Sequence, residues 1–129
     1  MISDNFKVSI VMNCYNGEKY LDDSLKSIFS QTYENWELIF WDNLSKDKSR
    51  EILTSFDEKR IKYFRSSKFL NLYDARNQAI EKSDGKYICF LDTDDFWEKN
   101  KLEKQIEFLR ANNKYKIVYS NYYTLNENK

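Results

Sequence analysis

With 129 residues, 41% of them hydrophobic and 33% charged, the chain is long enough for one domain with a substantial core and too short for two; it is neither disordered nor membrane-spanning. Its 21 basic residues balance 21 acidic ones without a basic block, which argues against nucleic acid as a partner. Histidine is absent, so a His-dependent triad, an HExxH zinc site and a His general base are excluded.

The first residues, Met1-Ile2-Ser3-Asp4-Asn5, lack the basic and apolar regions of a signal peptide. No apolar stretch approaches the ~20 residues that a transmembrane helix needs. The expected location is cytoplasmic, with peripheral attachment to a membrane compatible with the sequence. Lys7 to Met12 is short and β-branched, as a buried strand should be. Leu21, Leu25, Ile28 and Phe29 then recur at helical spacing, with Asp22, Asp23 and Lys26 on the other face. Trp36 to Trp41 reads as a second strand, and a helix over about Lys48–Phe56 presents Ile52, Leu53 and Phe56.

Ile61–Arg65 alternates apolar and charged residues, which suggests a third strand at a sheet edge. Leu72, Ala75, Ala79 and Ile80 mark a helix running to about Ser83 and ended by Gly85. Tyr87–Leu91 is the next strand, followed by a helix carrying Leu102, Ile106 and Leu109, and by a final strand over Lys116–Ser120. The polar end Asn126–Lys129 is expected to fray. Cys14 and Cys89 fall in or just after strands and suggest no disulfide framework. Alternation of this kind predicts an α/β fold, a mostly parallel sheet with helices on both faces.

In a parallel sheet the residues after each strand become neighbours along one edge, where ligands bind. Here they are Asn13-Cys14-Tyr15-Asn16-Gly17, Asp42-Asn43-Leu44-Ser45 and Asp92-Thr93-Asp94-Asp95. Closely packed carboxylates repel one another, so the last group makes most sense around a divalent cation. Extended backbone would turn Asp92 and Asp94 to one side and Thr93 to the other. Hard oxygen ligands suit Mg²⁺ or Mn²⁺ bridging a diphosphate. Tyr15 could stack on a base and Asn43 could pair with its edge. With only two glycines, neither a dinucleotide fingerprint nor a P-loop is present. Blander roles stand beside these: Tyr15 as packing, Asp42 as a turn cap, Arg76 as a surface ion pair.

The segments Val8–Leu21, Ser27–Tyr33, Asp42–Asp47, Ala75–Ile80 and Gly85–Asp95, in this order, closely resemble the family 2 glycosyltransferases, which have a GT-A fold. The resemblance runs from about Phe6 to Tyr122 and implies a nucleotide-diphosphate-sugar donor, a UDP-sugar first. It implies that Asn13 and Tyr15 lie in the loop around the base, and that Asp42 and Asn43 match an acidic pair whose second member contacts the base. Arg76 matches an arginine facing the diphosphate, Asp92 a residue near the ribose and Asp94 the metal ligand, with Asp95 further out. Asn13 stands where the family usually has proline.

The resemblance further implies inverting, Mn²⁺- or Mg²⁺-dependent sugar transfer to a glycan or lipid-linked acceptor. The general base is expected beyond Lys129, in an acceptor half, which makes this chain the donor-binding part of a longer enzyme. The alternative is a donor-binding module without transferase activity of its own. An apolar edge left where the acceptor half packs would favour a homo-oligomer. A phosphoacceptor receiver domain is excluded, because Asn13-Cys14 and Asn121-Tyr122 stand where it needs an acidic pair and a lysine.

Overall fold

The computed structural model describes residues 6–127. The readings made at Met1–Asn5 and at the last two residues of the chain lie outside them. The elements alternate in the order β1 (Val8–Cys14), α1 (Leu21–Phe29), β2 (Trp36–Asp42), α2 (Ser49–Thr54), β3 (Ile61–Arg65), α3 (Leu72–Ile80), β4 (Tyr87–Phe90) and α4 (Lys101–Ala111). All pairings are parallel and the sheet order is β3-β2-β1-β4.

Chain handedness turns that order into helix placement. The steps β1-α1-β2 and β2-α2-β3 move outward in one direction, whereas β3-α3-β4 returns across the sheet to the far side of β1. Right-handed crossovers made in opposite directions put their helices on opposite faces. The packing agrees. Val8, Ile10 and Met12 of β1 and Leu38 and Phe40 of β2 pack with Leu21, Leu25, Ile28, Leu53, Leu102, Ile106 and Leu109 of α1, α2 and α4. The alternate residues Val11, Ile39 and Trp41 pack with Ala75 and Ala79 of α3.

β2 lies between two strands and two helix layers, so all of it is buried, including Glu37 and Asp42. Each of these carboxylates needs compensating partners. Glu37 has them at the lower end of the sheet: Ser9 Oγ donates to it at 2.6 Å, the Asp84 backbone N–H at 2.9 Å, Lys7 Nζ at 3.0 Å and Lys62 Nζ at 2.6 Å. Beside this network Gly85 is obligatory for space, since a Cβ there would lie 2.6 Å from Ser9 N and Oγ and 2.9 Å from the Lys7 carbonyl.

The segment Lys116–Ser120 departs from the expected strand. It forms no ladder among the described residues, and Ile117 and Tyr119 are 83% and 90% exposed. Composition favours extended backbone there, but a strand exists only by pairing. Tyr122, Tyr123 and Leu125 are also exposed, while Glu127 is tied to Lys19 by an ion pair of 2.8 Å. No helix among the described residues is long and apolar enough to cross a membrane.

Candidate functional site at the carboxyl edge of the sheet

β1 and β2 end level, with Cys14 opposite Asp42, whereas the β1–β4 ladder stops at Val11 opposite Phe90. Beyond Phe90, buried Leu91 donates its N–H to the Val11 carbonyl at 3.2 Å. Continued by two residues, that register sets Asp92 level with Asn13. The site therefore opens beside β1, where the connections diverge to the two faces, the topological switch point at which open α/β sheets bind ligands.

Asp92, Asp94 and Asp95 are all exposed, and one carboxylate oxygen of each lies within 4.8 Å of the others. They converge through a turn, closed by Asp95 N–H donating to the Asp92 carbonyl at 3.1 Å, and not through the alternation of an extended strand. α1 secures this turn from beneath: buried Ser24 donates its hydroxyl to the carbonyls of Asp92 (3.3 Å) and Asp95. Thr93 turns inward against the loop after β1. A Cβ on Gly17 would lie 3.0 Å from its Oγ1 and 3.2 Å from Cys14 Sγ, so the approach is close and a larger residue there would have to shift these side chains. Asp95 sits inside the cluster with the other two carboxylates. Partial burial, and then the charges of Asp94 and Asp92, push its carboxyl above the usual range. The set is all oxygen and negative, which fits a hard divalent ion such as Mg²⁺ or Mn²⁺.

Arg76 projects from α3, whose Ala75 and Ala79 seat it on the sheet and whose N-terminus is capped by Asn71 accepting from Asp74 N–H at 2.9 Å. Its Nη2 meets Asp92 Oδ1 at 2.9 Å, and its guanidinium lies 5.5 Å over the Phe90 ring. Asn13 shares the face of Val11, the α3 side of the sheet. Its Nδ2 is buried and has no hydrogen-bond partner. Trp36 and Trp41 Nε1 are the other two buried side-chain donors without a partner among the described residues, and of the three Asn13 Nδ2 belongs to the strand end beside Asp92.

The remaining residues fall into two groups. Tyr15 is half exposed at the rim, with its ring 4.8 Å from that of Phe69 in an edge-to-face pair. Asp42 and Asn43 instead face inward. Asp42 is fully buried and accepts from Tyr63 Oη and Ser45 N–H, each at 2.7 Å, and from Arg65. Burial alone would raise its carboxyl, but Tyr63, Ser45 and Arg65 together hold it below the ordinary carboxylate range. Asn43 Oδ1 accepts from Leu70 N–H at 3.1 Å, and its Nδ2 donates to the Leu70 carbonyl at 2.8 Å.

The loops after β1 and β2 are laced together by side chains that sequence reasoning did not single out. Asn16 N–H donates to Ser45 Oγ (3.0 Å), Gly17 N–H to Ser49 Oγ (2.9 Å) and Glu18 N–H to Asp47 Oδ2 (3.0 Å). Lys46 N–H and Lys48 N–H return the bonds to Asn16 Oδ1 and Glu18 Oε2, each at 2.8 Å. Asn16 and Leu44 hold positive φ, 52° and 68°, inside this lattice. A hollow of about 600 Å³ beyond the 66–70 loop, bounded by Trp41, Lys68, Asn77 and Gln78, contains none of the three carboxylates. Cys14 and Cys89 are free thiols, pushed upward by burial, Cys89 to about 12, so neither offers a nucleophile.

Residues 9–129 match the family described as glycosyl transferase family 2. The chain is 40% identical over 125 residues to the Escherichia coli UDP-Glc:alpha-D-GlcNAc-diphosphoundecaprenol beta-1,3-glucosyltransferase WfgD, an alignment covering 97% of this chain and 49% of that protein. It is 38% identical to the Bacillus subtilis putative teichuronic acid biosynthesis glycosyltransferase TuaG, over 79% of this chain and 41% of the relative. Among solved structures, S. aureus TarS 1-349 in complex with UDP-GlcNAc superposes with a TM-score of 0.77 at 25% identity, over 83% of this chain and 32% of that one. The Pyrobaculum calidifontis mannosyltransferase PcManGT, in complex with GDP-Man and Mn²⁺, shares the fold at a TM-score of 0.72 and 19% identity, over 79% of this chain and 32% of that one. The chain thus spans less than half the length of these relatives.

Proposed function

Since the chain belongs to glycosyl transferase family 2, we propose that it holds the nucleotide-diphosphate-sugar donor of an inverting, metal-dependent glycosyltransferase. The observation that carries this reading is the convergence of Asp92, Asp94 and Asp95 within 4.8 Å at the switch point of the sheet. Asp94 with Asp92 and Asp95 would hold Mn²⁺ or Mg²⁺, which supplies a Lewis acid for the leaving diphosphate when bound.

The chain's own groups divide the rest of the work. Arg76 offers a guanidinium fork to phosphate oxygens from the α3 side. Asn13 Nδ2, buried and unpaired, donates to a ribose or phosphate oxygen. Tyr15 presents a ring face to the base. UDP-sugars are the first choice of donor: relatives at about 40% identity or a little below include one named for UDP-Glc, and a structural neighbour was solved with UDP-GlcNAc. A glycan or lipid-linked hydroxyl is the acceptor class in keeping with the WfgD name.

Inversion needs a base on the acceptor hydroxyl, across the sugar from the leaving group. None of the groups assigned here stands in that role. Together with a span of 49% or less of the relatives named above, this favours a second reading, in which the 129 residues bind donor and transfer it poorly alone. Titration calorimetry of UDP with Mn²⁺ tests the first reading: Asp94→Ala should abolish metal-dependent binding, and an unchanged affinity sinks the metal assignment. Robust turnover by the 129-residue chain would refute the second.

A further inference from the structure

We infer that Asn43 is a positioning residue: through Leu70 it holds the 66–71 loop so that Phe69 and Tyr15 together form an aromatic wall for the nucleotide base. This rests on the donor-site reading above. Asn43 is only 7% exposed, and both ends of its amide are committed to the backbone of one residue, Leu70. The amide accepts from an N–H with one end and donates to a C=O with the other, whereas a carboxylate would set a second oxygen against the Leu70 carbonyl. Asparagine thus suits the clamp, and both polar ends of its amide are turned to the loop backbone.

The clamp acts on a loop already fixed elsewhere. Ser66 N–H donates to the Asp42 carbonyl at 2.9 Å, and Asn71 caps α3. Asn43 is itself held by its N–H on the Cys14 carbonyl at 2.8 Å, next to Tyr15. Phe69 stands between these anchors, one residue before the clamped Leu70. Although 60% exposed, it packs edge-on against half-exposed Tyr15, with the ring planes 72° apart. An edge-to-face pair leaves ring surface free on both partners, an arrangement that accepts a planar base by stacking whatever its hydrogen-bonding edge. Base recognition then comes from the ring pair, with Asn43 acting at one remove.

The test titrates the full chain with UDP and Mn²⁺, and separately with pyrophosphate and Mn²⁺, which lacks the base. Phe69→Ala and Asn43→Asp should each weaken UDP about fivefold or more, the loss of one stacking contact, and leave pyrophosphate unchanged. The double variant should bind UDP no worse than the weaker single variant, because both changes remove the same wall. Phe69→Tyr should bind UDP like the parent. Additive losses in the double variant would mean that residue 43 meets the base directly, and they overturn the inference. So does a parallel loss of pyrophosphate, or unchanged UDP affinity in Phe69→Ala, an exposed substitution that leaves the fold intact. A parent chain that binds neither ligand with Mn²⁺ overturns the donor-site reading and this inference with it, whereas retained pyrophosphate binding isolates the failure to the base wall.

Discussion

Replacing Arg76 with alanine should separate two affinities, weakening that for UDP and leaving that for Mn²⁺ alone undiminished. Arg76 Nη2 lies 2.9 Å from Asp92 Oδ1, and the two side chains are 30% and 55% exposed. An ion pair so open to solvent contributes about 0.2–1 kcal/mol. Without it Asp92 is free to turn to a cation, and Mn²⁺ alone should bind equally well or up to about fivefold more tightly. A diphosphate loses charge-assisted hydrogen bonds of about 1.5–3 kcal/mol, which corresponds to roughly 10- to 150-fold weaker UDP at saturating Mn²⁺. Arg76→Lys should fall between, keeping the charge and losing the fork. Free Mn²⁺ counted by electron paramagnetic resonance gives the first affinity, and calorimetry with UDP the second. If both weaken together, Arg76 serves to orient Asp92 and the turn around it, and its role as a phosphate ligand is refuted.

Two further predictions concern the lower end of the sheet. Gly85→Ala forces a Cβ to within 2.6 Å of Ser9 N and Oγ and disturbs the bond from Gly85 N–H to Ser9 Oγ; overpacking plus weakened buried hydrogen bonds should destabilise by about 3–5 kcal/mol, and a denaturant midpoint shifted by less than the equivalent of ~1 kcal/mol contradicts the close approach. The chain should also lose thermal stability as pH falls from ~5 toward 2. Burial alone would raise Glu37, but the Asp84 N–H, Lys62, Ser9 and Lys7 hold it below its ordinary value, while Asp84 is lowered to about 2 by Lys7 and then Lys62. A carboxyl depressed in the folded state stabilises above its unfolded value, ~4.3 for Glu, and that contribution is lost as pH falls through the folded value. Glu37→Gln should therefore lower Tm at pH 7 and flatten its acid slope; a slope as steep as the parent's would show that Glu37 is not the group responsible.

Much of the fold was legible because burial is written in residue type. β1 and β2 are buried on both faces, and their apolar runs read as strands without ambiguity. α1 and α4 carry their apolar residues at helical spacing, and α3 ends shortly before a glycine that close packing requires. Lys116–Ser120 failed for the complementary reason: its residues favour extension, but pairing depends on a neighbour that sequence does not name. The convergence of Asp92, Asp94 and Asp95 was legible as chemistry but not as geometry, since the backbone turns where alternation was expected. Ser24 carried a signal that was passed over, a hydroxyl on the apolar stripe of α1 that holds the acidic turn from below. The lacing of Ser45, Asp47 and Ser49 to the loop after β1 carried none, because polar loop residues look alike until their partners are known.

On the inference drawn above for Asn43, matching a motif and facing a ligand are different properties, and Asp42 and Asn43 show the structural side of that distinction. They are adjacent, and both stand in a segment that resembles the family, yet both are turned inward and hydrogen-bonded to neighbouring segments. Asp42 orders Tyr63, Arg65 and Ser45 across the ends of β2 and β3. Asn43 orders Leu70 at the entry to α3. Tyr15, Arg76, Asp92, Asp94 and Asp95 retain exposed surface, and the groups with charge to offer are among them. A rim that must hold like charges close together needs rigid loops, or the carboxylates would separate to relieve their repulsion. The inward pair, the Ser24 contacts and the laced loops after β1 and β2 supply that rigidity. On the donor-site reading proposed above, these residues divide between two physical tasks, holding the rim and touching the donor. Substitutions in the first group should register in stability and in the placement of the second, and those in the second group in affinity alone.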